Sequence, residues 1–106
     1  MRIKVLIKDP GKAPREFDIE NTLETLQHIV GGYIESVTLA EDMCIICNEE
    51  GRLMKLPHNC EVCGIDFVGT IILCGIKGEE LSDLPGDMES WKSVFRRLWE
   101  CDHEHS

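Results

Sequence analysis

Basic residues are scarce in this chain, and that scarcity excludes whole classes of function. Eleven lysines and arginines stand against twenty aspartates and glutamates, giving a net charge of −9. A phosphate-backbone binder concentrates lysine and arginine on one face, whereas Arg96-Arg97 is the only basic doublet here. Direct binding of nucleic acid is therefore not expected. Long apolar runs are missing as well, and none approaches the roughly 18 residues that a membrane span needs. The opening MRIKVLIKDPGK has no signal-peptide apolar core and no cleavage site, which predicts a cytoplasmic protein. There is no Gly-rich phosphate loop, no G-x-S-x-G and no H-E-x-x-H, so the common catalytic signatures are absent. Internal repeats and low-complexity segments are lacking too.

What is present is the composition of a globular domain. The 106 residues are 42% hydrophobic, enough to bury a core in one domain spanning residues 1–106. The acid excess is uneven. Residues 1–40 carry −1 and residues 41–106 carry −8. An acidic face suits a basic protein surface. The candidate contacts are Glu49, Glu50, Glu61, Glu79, Glu80, Asp83, Asp87 and Glu89.

Periodicity supplies the elements. RIKVLIK alternates Ile3, Val5 and Ile7 on one face, and REFDIE places Phe17 and Ile19 inward, so both read as strands. In NTLETLQHIVGG, Asn21 can cap a helix with Glu24 three residues on. Leu23, Leu26 and Val30 share a face, and Gly31-Gly32 ends it. YIESVTL and MCIIC read as strands, RLMKL as a hairpin partner for MCIIC, and IDFVGTIILCGI as one long buried strand bent at Gly69. KGEELSDLPGD reads as a loop. From Asp87 to about residue 100, Met88, Trp91, Phe95, Leu98 and Trp99 form a helical stripe that can cover the sheet. The expected fold is α+β: a small antiparallel sheet, a short helix after the second strand, an amphipathic C-terminal helix, and one zinc-knuckle insertion.

That insertion is residues 44–64, with the spacing Cys44-x2-Cys47-x12-Cys60-x2-Cys63. Two Cys-x-x-Cys pairs can turn four thiolates toward one tetrahedral zinc, and four protein ligands leave no open position for catalysis. The spacing thus predicts a structural zinc. If MCIIC is a regular strand, however, Cys44 and Cys47 point to opposite faces. His58 then offers a substitute ligand, and Cys101, His103 and His105 of the tail are a further source. Cys74 reads as a core thiol. A zinc deaminase would place a proline before Cys60, and a thioredoxin-like site would need a βαβ frame. Neither is present, and no enzyme is expected.

The segments NTLETLQHIVGGYIESV, ICNEEGRLMKLPHN and DFVGTIILCG resemble small uncharacterised proteins carried by phages and mobile elements of Gram-positive bacteria, a domain of unknown function. The resemblance covers about residues 1–76 and implies an α+β fold without an established activity. The chain departs from that pattern after LPHN, where it inserts CEVCG, which makes Cys60 and Cys63 the surer ligand pair. A small, acidic, metal-stapled phage protein also looks like an anti-defence factor, and among these an anti-CRISPR inhibitor. Such a protein would bind a basic surface of a type II RNA-guided nuclease and hinder target-DNA loading. The rival expectations are a sponge that sequesters a nucleotide immune signal and a generic zinc-stapled binding module.

Overall fold

The computed structural model describes residues 1–93. Strands β1 (Arg2–Lys8), β2 (Arg15–Glu20), β3 (Ile34–Ala40), β4 (Met43–Asn48), β7 (Ile71–Lys77) and β8 (Glu80–Ser82) build one antiparallel sheet. Its order is β2-β1-β7-β4-β3, with β8 paired to the far half of β7. Strands β5 (His58–Val62) and β6 (Ile65–Val68) form a separate hairpin. Helix α1 spans Leu23–Val30, and residues 88–93 are also helical. Among the described residues the antiparallel α+β expectation therefore holds. The rest of the expected C-terminal helix, with Cys101, His103 and His105, lies outside them.

The sheet is covered on both sides, and alternation along each strand explains how. Ile3, Val5, Ile7, Cys44, Ile46, Ile72 and Cys74 pack with Leu26 and Val30 of α1. Leu6, Met43, Ile45, Cys47, Ile71 and Leu73 face the other way, against Cys60 and Phe67 of the hairpin and Leu84. Met88 and Trp91 extend that second cluster. The Trp91 indole N–H donates to the Pro85 carbonyl at 2.6 Å, so its polar atom is satisfied. Asp87 caps the 88–93 segment by accepting from the Glu89 amide at 3.2 Å.

Several local expectations are corrected. Thr22, not Asn21, is the N-cap of α1, accepting from the Thr25 amide. Asn21 turns away and donates to the Leu81 carbonyl instead. Gly31 ends the helix at φ 82°, the left-handed conformation that favours glycine. Phe17 does not point inward: it is exposed, with the Arg15 guanidinium 5.2 Å from its ring centre. The long apolar run is two strands in two sheets, because Gly69 at φ 72° breaks it between β6 and β7. RLMKL is no strand but a series of turns, and β4 is paired by β3 and β7 instead. Glu80–Ser82, expected in a loop, is strand β8.

Candidate functional site

The four cysteines of the expected zinc segment lie at three different places. Cys44 and Cys47 are three apart on a regular strand, which sends them to opposite faces. Cys44 sits in the α1-side core, its sulfur 3.6 Å from that of Cys74, its register partner on β7. Cys47 sits on the other face in one cluster with Cys60. Cys63 is exposed at the tip of the β5–β6 hairpin. There Cys63 and Gly64 have φ 52° and 79°, the two positive values that a type I′ turn requires. The Cys60–Cys63 segment is therefore a tight hairpin turn. Among the described residues no three His, Cys, Asp or Glu side chains gather where they could hold a metal ion. His58 is turned to Asp66, 2.8 Å away.

The buried thiols differ in acidity for physical reasons. The Cys74 thiol beside Cys44 lowers the Cys44 pKa to about 7; burial opposes this and the Ser36 hydroxyl assists it. The same contact, together with burial, pushes Cys74 upward. Burial and the Glu35 carboxylate push Cys47 up to about 11, which keeps it a neutral thiol. With iodoacetamide, Cys63 is expected to react first, whereas Cys44, Cys60 and Cys74 react only on unfolding. Peptide mass mapping reads the order. Native mass spectrometry of the same sample tests the zinc proposal, which requires one zinc per chain, a protected Cys63 and a rearranged β4.

The structure concentrates unusual features elsewhere, in the loop that runs from Asn48 to Leu56. Asn48 is buried and acts as its hub. Its amide donates to the Val30 carbonyl at the end of α1 and lies 3.6 Å from the Met54 sulfur. Its side-chain oxygen accepts from the Glu50 amide at 2.8 Å. Turn bonds from Met54 to Glu50 and from Leu56 to Gly51 wind the loop up. Arg52 braces it against the hairpin, donating to the Asp66 carbonyl at 2.7 Å. Two glycines allow this packing. A Cβ at Gly32 would meet the Asn48 amide at 2.9 Å, and one at Gly51 would meet Val68 at 2.8 Å.

So fixed, the loop presents apolar side chains to solvent. Leu53 is 82% exposed and Met54 52%. Tyr33, whose carbonyl accepts from the Glu49 amide, is 65% exposed beside it. Glu49 and Glu50 are exposed on the same loop. Of the eight candidate acidic contacts, these two alone share this loop. Glu61 is exposed on β5. Glu79 and Glu80 lie at the β7–β8 turn, beyond the opposite end of β4; β4 is roughly 20 Å long at ~3.3 Å per residue. Asp83 accepts from the Lys4 amide, Asp87 caps, and Glu89 pairs with Lys92. The sequence reading took Glu49 and Glu50 but missed Tyr33, Leu53 and Met54, because RLMKL was read as a paired strand. The turn signal Asn-Glu-Glu-Gly directly before it was the available clue.

A shallow depression over Leu6, Lys8, Pro14, Ile71 and Leu73 encloses no volume that would take a nucleotide. No helix among the described residues is long and apolar enough to cross a membrane. A family described as a domain of unknown function, DUF3846, matches residues 1–96. No curated protein matches the chain, and no solved structure does.

Proposed function

Since the chain belongs to the DUF3846 family, whose activity is not established, we propose its function from its own surface: it is a non-catalytic module that binds a basic, partly apolar protein surface through the Asn48–Leu56 loop. The observation that carries this reading is the braced loop with Leu53 exposed at its tip. A large apolar side chain held out in water loses free energy that burial against a partner returns, about 1.5–3 kcal/mol for a leucine. Glu49 and Glu50 on the same loop select a positively charged partner. The specific partner we propose is the nucleic-acid channel of a type II RNA-guided nuclease, where occupancy would hinder target-DNA loading.

The test is a DNA-cleavage assay with type II nucleases from several Gram-positive hosts and excess protein. Cleavage is expected to be inhibited. Leu53→Asp plus Met54→Asp is expected to weaken inhibition at least ~10-fold, about 1.4 kcal/mol. It should leave the melting temperature nearly unchanged, since both positions are exposed. Unimpaired cleavage with the unaltered protein would rule out this partner. A photo-crosslinking residue at position 53, compared with one at exposed Lys12, then decides whether the loop contacts any protein in the host cell.

A further inference from the structure

The sheet has two edges, and they are built differently. Strand β2 carries Arg15, Glu16, Asp18 and Glu20 and follows Pro14, the charges and proline that keep an edge from accepting another strand. Strand β3, IESVTLA, has Glu35 as its one charge. Among the described residues its only strand neighbour is β4, so its outer side presents unpaired backbone groups. A register shift between Thr38 and Ala40 confines regular pairing to Ile34–Thr38. Ile34, Val37 and Leu39 are half-buried, leaving apolar surface for a neighbour to cover.

Charge decides what that neighbour is. No lysine or arginine occurs anywhere in residues 16–51. Glu35 lies on β3, Glu41 and Asp42 follow it, and Glu49 sits against Tyr33 at its start. A second copy added antiparallel along this edge would bring the Glu41-Asp42 turn of each chain to the Glu49 end of the other, acid against acid. An extended segment with an apolar centre and basic ends meets opposite charge at both ends instead. We propose that the β3 edge is a docking site for such a segment of a partner protein, which adds as a further strand. This surface is distinct from the Leu53–Met54 tip and stands whether or not the tip binds.

The probe is a short peptide of alternating valine and threonine with a lysine pair at each end, titrated into the full chain and followed by amide hydrogen exchange. Protection of amides in Ile34–Thr38 is expected to rise at least tenfold. The same peptide N-methylated at alternate amides should lose this effect, as should a version with glutamate ends. Glu35→Lys plus Asp42→Lys, both exposed, should abolish it, whereas Leu53→Asp plus Met54→Asp should preserve it. The proposal is overturned by unchanged β3 exchange, by equal binding of the N-methylated peptide, by β3 amides already protected throughout in the free chain, or by sedimentation of the free chain as a dimer.

Discussion

Gly75→Ala is expected to unfold the protein at ordinary temperatures. Gly75 pairs with Met43 on one side and with Ser82 on the other, at the point where β7 is flanked by both β4 and β8. A Cβ there would lie 2.1 Å from the Asp83 carbonyl oxygen and 2.8 Å from the Ser82 hydroxyl. The hydroxyl can rotate away but the carbonyl cannot. Asp83 accepts from the Lys4 amide at 2.8 Å, and the Leu84 amide donates to the Lys4 carbonyl at 2.9 Å, so the segment is tied on both sides. Relief means pulling β8 off the sheet, at a cost of about 3 kcal/mol or more. That corresponds to a fall of roughly 15 °C in melting temperature for a domain this size. Gly78→Ala is the control. Gly78 has φ 67° and nothing near its would-be Cβ, so backbone strain alone should cost about 1 kcal/mol. Differential scanning calorimetry of the two variants measures the gap, and equal melting temperatures would show that β8 gives way freely.

The second large effect is expected at Asn59, a polar residue with 2% exposure. On β5, His58 opposes Val68 and Cys60 opposes Phe67, leaving Asn59 as the extra residue of a bulge. The bulge aims its side chain across to the main sheet. Its amide donates to the carbonyls of Lys8 and Gly69, at 2.8 and 2.7 Å. Its oxygen accepts from the buried Lys8 ammonium at 2.6 Å. One side chain thus fastens the β5–β6 hairpin to β1 and to the bend before β7. Asn59→Leu keeps the volume but deletes all three bonds, one of them to a buried charge. A loss of roughly 3 kcal/mol is expected in urea denaturation. A loss below ~1 kcal/mol would mean that water replaces these bonds.

The parts of the fold that could be read from sequence were those where local pattern and tertiary contact agree. Helix α1 is one, since Leu26 and Val30 at helical spacing are its buried residues. Strand β1 is another, with Ile3, Val5 and Ile7 on one core face. The failures share a cause. Whether IDFVGTIILCGI is one strand or two turns on Gly69, whose left-handed backbone brings it against Leu56, a residue thirteen positions earlier in the chain. Nothing in the apolar pattern carries that. RLMKL alternates weakly enough to pass for a strand, yet Asn48 captures the Glu50 amide and starts a turn instead. The cysteines show the opposite limit. Their spacing is regular, but β4 separates Cys44 from Cys47 by the thickness of the sheet, a consequence of the strand period noticed in the sequence and visible in the packing.

The place of β7 between β1 and β4 also sets an order of events during synthesis. As the chain leaves the ribosome, β1–β2 and β3–β4 are each complete as local hairpins. Their inner edges cannot meet, because the strand that joins them comes later, pairing Leu6 with Leu73 and Ile45 with Leu73 across the seam. Until that strand emerges, β4, buried along its whole length in the finished protein, faces water on one side. The nascent chain is thus two half-sheets awaiting a zipper, and its exposure to aggregation or chaperone capture lasts as long as translation from β4 to the end of β7.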